Sequence, residues 1–363
     1  MLGGLGWDQA WQEAFAELQG ELPQKGRPLV PARVTRQDRG WVTAIGDDTT
    51  YRATPSGRLK KTLEEQGTVL VTGDWVILEP LDEPGRARVH GLLPRRSRFA
   101  RKAPGSGEGL AEQVVAANID WAFLVAGLDG DYNLRRLERA LALARDGGVR
   151  PVIVLNKVDL ISDPEAKRSE VQVIAGEAPV YLVSAITGLG LPELHGYLGP
   201  GITVAMLGSS GAGKSTLVNA LFGEARMVTN EVRAHDQRGK HTTTHRELLS
   251  LPSGGLIIDT PGMRELQLLP EEESLGDTFA DVEEWARQCR FDDCRHETEP
   301  GCRVKAALED GSLSDDRFQS FLKLRQEIAY EDAKRSPQLR AERKAKERTM
   351  TSAAWQASRN KRR

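Results

Sequence analysis

The sequence predicts a multi-domain α/β protein: a small β-rich module, a parallel-sheet domain built around a phosphate-binding loop, and a short helical module carrying a metal-ligand cluster. Three observations carry this. Short β-rich runs, punctuated by Gly, Asp and Pro at roughly ten-residue spacing, fill residues 29 to 90. Strand and helix patterns alternate beyond residue 110. All three cysteines fall between Cys289 and Cys302.

A chain of 363 residues is too long for one ordinary small domain and suits two or three. Residues 1–27 read as a short helical or loose leader. Residues 28–102 hold the runs LVPARVTR, GWVTAIG, TYRATP, TVLVTGDWVILEP and RARVHGLL, the pattern of a small barrel or sandwich. A Gly-rich linker, APGSGEG, starts at Ala103. Over residues 110–269 the apolar runs Ile119–Ala126, Val152–Leu155, Val180–Val183, Ile202–Leu207 and Leu256–Ile258 read as buried strands. Helical stretches such as Asn133–Arg145 and Lys214–Phe222 lie between them, which implies a mostly parallel sheet with helices on both faces. Residues 270–335 turn helical around the cysteines. Residues 336–363 form a basic tail with little apolar content, expected to be disordered alone.

Composition excludes some classes. A 39% hydrophobic, 28% charged chain without a run of eighteen apolar residues has no segment expected to span a membrane, and the N-terminus lacks the features of a secretory signal. A cytoplasmic location is expected. The net charge of −2 argues against a uniformly basic nucleic-acid binder, but the charge is segregated. From Lys334 onward there are eleven Lys or Arg and two acidic residues, and PRRSRFARK runs from Pro94 to Lys102. Such patches can still steer a polyanion.

The run Gly208, Ser209, Ser210, Gly211, Ala212, Gly213, Lys214, Ser215 fits G-x-x-x-x-G-K-[ST] and directly follows the strand ITVAML. Glycines let the backbone wrap close enough to point its N–H groups at phosphate oxygens, and the following helix offers its positive end. Lys214 is expected on the β- and γ-phosphates and the Ser215 hydroxyl on Mg²⁺, with Thr216 beside it. A chance Gly-rich turn is the bland alternative; the strand before and the helix after count against it.

Asn156-Lys157-Val158-Asp159 sits immediately after the apolar strand PVIVL. An N-K-x-D at a strand's carboxyl edge reads guanine in GTP-binding proteins. The Asp159 carboxylate can accept from the ring N–H and the exocyclic amine together, whereas adenine would leave it desolvated and unpaired. Sites built on such a bond reject analogues by roughly 10⁴–10⁵. Ser184-Ala185 follows the strand VYLV and resembles the S-A-x element whose backbone contacts the guanine oxygen. Alone, NKVD could be a surface loop; together with the phosphate loop the set is strong.

Asp259-Thr260-Pro261-Gly262 follows LIID and matches D-x-x-G: Asp259 is expected to hold Mg²⁺ through a water and the Gly262 N–H to touch the γ-phosphate. Between this element and the phosphate loop lies GKHTTTHRE, where Thr242, with Thr243 close behind, is the candidate to complete the Mg²⁺ shell. A zinc site on His241 and His245 is the alternative, without an evident third ligand. Standard GTP-binding domains run phosphate loop, first switch, D-x-x-G, N-K-x-D, S-A-x; here the last two come first. The chain is thus circularly permuted, and whatever follows Gly262 is attached to the element that moves when the γ-phosphate leaves.

Cys289-x₄-Cys294-x-His296-x₅-Cys302 gathers three thiolates and an imidazole within fourteen residues. Four such ligands suit a closed, tetrahedral, structural Zn²⁺ rather than a catalytic one. Inert buried thiols are the alternative.

Permuted motifs, GKHTTTH, DTPGMRE and the cysteine–histidine cluster together resemble the ribosome small-subunit-dependent GTPase A family over about residues 28 to 335. The resemblance implies that the β-rich module is an OB-fold barrel. It also implies a GTPase, with Mg²⁺ and GTP/GDP, that binds the small (30S) ribosomal subunit and its rRNA late in maturation and whose hydrolysis the subunit stimulates. No membrane partner and a monomeric state are expected. Met263 stands where many GTPases carry a water-orienting glutamine, and a thioether cannot orient water. Slow intrinsic hydrolysis is therefore expected, raised by a partner, with His241 the catalytic candidate. Trp41 and Trp75 could stack RNA bases, though such residues are more often barrel core. Two rival functions stand beside this one: a permuted GTPase of large-subunit assembly, and a GTP-binding module without significant hydrolysis.

Overall fold

A computed structural model describes residues 2–22, 27–47, 49–102, 112–129, 132–209, 211–223, 247–259, 278–291, 294–296 and 299–335. These fall into two compact units, one holding the described residues of 1–101 and 112–259 and one holding Lys102 and the residues from Thr278 onward.

In the first unit a 3₁₀ turn (Leu2–Leu5) and helix α1 (Gln9–Glu21) precede five barrel strands. These are β1 (Val30–Asp38), β2 (Trp41–Ile45), β3 (Thr50–Pro55), β4 (Trp75–Pro80) and β5 (Arg86–Leu92). Pairings run β1–β2–β3–β5–β4 and back to β1, with β3–β5 parallel, so the barrel closes. Alternation does this: Val34, Val42, Ala44, Ala53, Val76, Leu78 and Val89 point inward and form the barrel core. A register shift between Val34 and Arg36 bends β1 where it must serve two neighbours.

The predicted strand runs match these five closely, but the stretch between β3 and β4 is not a plain connection. It carries helix α2 (Gly57–Glu65), capped by the Ser56 hydroxyl accepting from Leu59 N–H and seated by buried Leu59 and Leu63. The leader is not loose either. Trp11 and Phe15 of α1 bury against Trp75, Ile77 and Leu93. Asp8 caps α1 by accepting from Trp11 N–H and also pairs with Arg96, whose guanidinium lies 4.0 Å over the Trp11 ring.

A two-stranded ribbon, β6 (Arg98–Lys102) and β7 (Glu112–Ala117), leads into the nucleotide-type sheet. That sheet contains β8 (Trp121–Gly127), β9 (Arg150–Asn156), β10 (Val180–Val183), β11 (Thr203–Leu207), β12 (Glu247–Ser250) and β13 (Leu256–Asp259), in the order β10-β9-β8-β11-β13-β12. All neighbours are parallel except β12–β13. Helices α3 (Leu134–Asp146), α4 (Pro164–Ala175), α5 (Leu191–His195) and α6 (Lys214–Phe222) connect the strands. Two apolar clusters pack on the sheet: one contains Leu137, Leu141, Val171 and Ile174 of α3 and α4, the other Leu194, Leu217, Val218 and Leu221 of α5 and α6. The short strand β12 was not anticipated. Four residues of mixed polarity give no periodicity to read, and β12 is defined by its partner instead.

Edge strand β12 also pairs with β1, Glu247 opposite Arg36, so barrel and nucleotide sheet are one eleven-stranded sheet. Their seam is closely fitted. Buried Arg33 donates from Nη2 to Asn118 O (2.8 Å), from Nε to Gly73 O (3.4 Å) and from Nη1 to Leu5 O, and its guanidinium lies over the Trp75 ring. Burial lowers the Arg33 pKa to about 10, which still leaves it charged at neutral pH. Asn118 donates to Gly73 O (3.0 Å) and accepts from Arg96 N–H (2.9 Å).

The second unit contains α7 (Ala280–Arg287), α8 (Arg303–Glu309) and α9 (Asp315–Arg335). Phe279, Val282, Val304, Phe318, Phe321 and Leu324 are buried in it. Arg317 holds Asp281 through two hydrogen bonds of 2.9–3.0 Å, donates to Thr278 O and stacks 4.3 Å over Phe279.

Candidate functional site: a phosphate loop stapled to a base-reading edge

Three loops leave the carboxyl edge of the parallel sheet. The phosphate loop follows β11, the Asn156–Asp159 segment follows β9, and Ser184-Ala185 follows β10. Parallel pairing brings them level: Leu207 lies opposite Leu124 on β8, and Gly127 at the end of β8 lies opposite Asn156. In open sheets of this type ligands bind along that edge.

The phosphate loop is tight. Gly208 has φ +152, and a Cβ there would sit 2.2 Å from Val125 O. Gly213 has φ +90, and its Cβ would sit 2.2 Å from Asn156 Nδ2. Only glycine meets both demands. Helix α6 begins at Lys214, so the half-buried Ser215 and Thr216 lie in its first turn, where backbone N–H groups have no intrahelical partner. The Lys214 ammonium folds over the loop and donates to Gly208 O (2.7 Å) and Ser209 O. The arrangement can cradle an anion of phosphate size and supply a cation to it.

Asn156 is the staple between the motifs. It is 2% exposed, donates from Nδ2 to Ala212 O (3.0 Å), and accepts at Oδ1 from Ala185 N–H (3.1 Å). One side chain thus joins phosphate loop, base-reading turn and S-A element, motifs separated by up to 56 positions. Ser184 is fully buried; its hydroxyl accepts from Thr187 N–H (3.1 Å) and shapes the turn. Asp159 is exposed at the rim in a 3₁₀ turn (Val158–Leu160), open to a base. Val158, a candidate nucleotide contact, is 6% exposed, and its side chain packs in the sheet core. Whatever it offers a ligand comes from its backbone.

Asp259 ends β13. Ser210, His241, Thr242, Thr243, His245 and Gly262, together with the basic tail, lie outside the described residues. Among the residues not singled out from sequence, Asp129 forms an ion pair with Lys157. The available signal was an acidic residue just past the end of a predicted strand.

In the second unit Cys289, Cys294, His296 and Cys302 place their ligand atoms within 4.8 Å of one another. Cys289 Sγ lies 3.9 Å from Cys302 Sγ, and His296 Nδ1 lies 3.6 and 3.4 Å from these two sulfurs. A tetrahedral zinc with ordinary bond lengths sets S···S near about 3.8 Å and S···N near about 3.5 Å, so the donor set fits that ion. The backbone bends to deliver it: His296 has φ 64 and Gly301 φ 77. Cys302 caps α8, its sulfur accepting from Lys305 N–H (3.4 Å). Burial, with Arg325 adding to it, lowers the His296 pKa and favours the neutral ring that metals bind.

The expected polyanion-binding roles need correction in places. Arg95 is a half-buried structural cation, bidentate on the fully buried Asp74 (2.7 and 2.8 Å), and Arg96 pairs with Asp8. Both of these guanidiniums in the cluster Pro94–Lys102 thus already face a carboxylate. Trp75, 1% exposed, is buried between the barrel and α1 and cannot stack a base. Trp41 is half-buried, with Arg52 4.0 Å and Arg36 5.5 Å from its ring.

A parallel sheet in this strand order, a phosphate loop on its central strand and a base-reading edge earlier in the chain define a circularly permuted P-loop GTPase. The chain is 46% identical to the small ribosomal subunit biogenesis GTPase RsgA of Opitutus terrae, over 94% of each chain. It belongs to the RsgA GTPase family, whose sequence profile matches residues 92–269. The protein of the same description from Syntrophotalea carbinolica is 44% identical, over 90% of this chain and 89% of its own. Among solved structures, YjeQ from Thermotoga maritima superposes with a TM-score of 0.61 at 29% identity, covering 83% of this chain and 99% of that one. YloQ, described as a circularly permuted GTPase, shares the fold with a TM-score of 0.57 at 24% identity, covering 85% and 97%.

Proposed function

We propose that this chain hydrolyses GTP to GDP and phosphate while bound to the small ribosomal subunit, and that it acts in the biogenesis of that subunit in the cytoplasm as a monomer. Asn156 carries the nucleotide part of this reading. It ties the phosphate loop to the base-reading turns, so one molecule can be gripped at both ends. The likeness to relatives named for small-subunit biogenesis, extending over nearly their full length, supports the ribosomal part.

In this reading Asp159 accepts from the guanine edge, while Asn156, Lys157 and the backbone of Val158, Ser184 and Ala185 surround the base. Phosphate oxygens take the N–H groups of Gly208 to Thr216 and replace the carbonyls that hold Lys214. Gly262 meets the γ-phosphate. Mg²⁺, when bound with GTP, neutralises charge on the β- and γ-oxygens; Ser215, Asp259 and Thr242 are the residues that would hold it. His241 is the candidate to place the attacking water when the ribosomal partner is bound. One structural Zn²⁺ is assigned to Cys289, Cys294, His296 and Cys302. The rRNA contacts are assigned to the barrel and the basic tail.

The test is phosphate release by the full chain with purified small subunits, with large subunits, and alone. Stimulation by small subunits only is the expected result. Stimulation by large subunits instead would move the protein to the other assembly pathway, and no turnover in any arm would leave a binding module. Calorimetry with GTP and ATP tests the base reading, since equal affinities would overturn the role of Asp159.

A further inference from the structure

Lys157 is held more tightly than a loop position requires. Its backbone is left-handed at φ 67, and its stem crosses two glycines. A Cβ on Gly127 would come 3.4 Å from Lys157 Cδ, and one on Gly213 would come 3.8 Å from Lys157 Cε. Gly127 ends β8 and Gly213 ends the phosphate loop, so the stem lies in a slot between the two. The ammonium is fixed at the far end by Asp129, two residues past β8, with the two side chains only 24% and 30% exposed. Asp129 belongs to none of the sequence motifs.

A lysine has four rotatable bonds and loses much freedom when ordered. A side chain that lies flat before the ligand arrives has already lost that freedom, and binding is tighter by the same amount. Part-exposed ion pairs add little to folding stability, so the fold does not depend on this one. We propose that Asp129 is a positioning residue for the guanine nucleotide: by anchoring the Lys157 ammonium it keeps the stem in its slot, so that the base end of the site is formed in advance. This rests on the guanine-nucleotide reading above. Asp129 touches no reacting atom, so it acts on affinity and not on the chemical step.

The experiment uses the full chain carrying Asp129→Ala, Asp129→Asn or Asp129→Glu, each also combined with Lys157→Met. The readouts are fluorescent-GDP affinity and release rate, KM and kcat for GTP with small subunits, and the melting temperature without nucleotide. Asp129→Ala should raise KM and the GDP dissociation constant about tenfold, the scale set by freeing one rotamer-rich side chain. The value of kcat at saturation and the nucleotide-free melting temperature should stay at wild-type values. Asp129→Glu should recover part of the loss, and Asp129→Asn less. In the Lys157→Met background Asp129→Ala should cost nothing further. Unchanged affinity in Asp129→Ala, a fall in kcat at unchanged KM, or a tenfold loss that persists without the lysine would each overturn the proposal. Wild-type protein that bound ATP as tightly as GTP would instead sink the parent reading, and this inference with it.

Discussion

Asn156 makes two hydrogen bonds of opposite sense, and an amide is the one side chain whose size and donor–acceptor pair suit both. Asn156→Ala leaves Ala212 O and Ala185 N–H without these partners at a mostly buried position. Each orphaned group costs about 1–3 kcal/mol. GDP affinity should therefore fall by at least about tenfold in a fluorescence titration. Asn156→Asp should behave nearly as badly, because it keeps the acceptor for Ala185 but sets a carboxylate oxygen against Ala212 O. An aspartate variant with wild-type affinity would show that the staple does not matter. The identity of this residue was legible in sequence, since NKVD at a strand end admits few readings. Its wiring was not: the bond partners lie 29 and 56 positions away and carry no side-chain signature, being backbone groups of alanines. Val158 is the converse case, a motif position whose side chain belongs to the core.

Helix α1 fits the helical reading of the leader, but its docking surface has no signal in the sequence. Its apolar residues are few, and the surface that receives them, Trp75, Ile77 and Leu93, belongs to the barrel. Asp8 fixes it twice, as N-cap and as partner of Arg96. The Arg96 guanidinium holds the Asp8 carboxyl down at about 2, below the ordinary value of 3.8. A lowered carboxylate pKa contributes stability above the ordinary value, and that contribution is lost as pH falls through about 2. Asp8→Asn retains a capping oxygen but no charge, so its α1 amides should exchange faster than wild type at neutral pH. The two should converge as the medium is acidified from about pH 4 toward 2. Asp8→Ala also loses the cap, at about 1 kcal/mol, and should stay less protected throughout. A gap between wild type and Asp8→Asn that widened on acidification would refute the ion-pair assignment. Toward the other end of the chain, the segment from Cys289 to Cys302 has little apolar content, and a zinc held by its four ligands would cross-link it. A thiol reagent should release one equivalent of zinc and strip protection from α8, while GTP affinity, which uses first-unit residues, stays within about twofold. Release of no zinc would leave Cys302 as a buried thiol cap. This cluster was readable because its four ligands lie close in sequence; α2 and β12 were not, because packing partners define them.

The eleven-stranded sheet makes the barrel and the nucleotide domain mechanically one body, although the sequence suggests a linker at Ala103. Strand β12, which carries the join to β1, lies in sequence between the two segments proposed to meet Mg²⁺ and the γ-phosphate, so the barrel is joined to the strand that links them. Long-range contacts build the seam: Arg33 on β1, Gly73 before β4 and Asn118 before β8 meet although no local pattern marks any of them. Gly73 is where this can be tested. It has φ +93, and a Cβ there would lie 2.0 Å from Ala117 O and 3.3 Å from Ile258 Cδ1. Its backbone cannot retreat, because Gly73 N–H donates to Val34 O (2.8 Å) while its own carbonyl accepts from Arg33 and Asn118. Gly40 is the matched control, with φ +80 and nothing within 4 Å of its Cβ. Gly40→Ala carries only the left-handed strain of about 1–2 kcal/mol. Gly73→Ala carries that strain and the collision, so it should cost at least about 2 kcal/mol more, a loss characteristic of overpacked cores. Calorimetry of the full chain should show the transition of the first unit shifted down in Gly73→Ala well beyond its shift in Gly40→Ala, with the chelator-sensitive transition of the second unit unmoved. Equal shifts in the two variants would mean that barrel and nucleotide sheet are not pressed together at Ala117, and the coupling of β12 to the barrel would lose its structural basis.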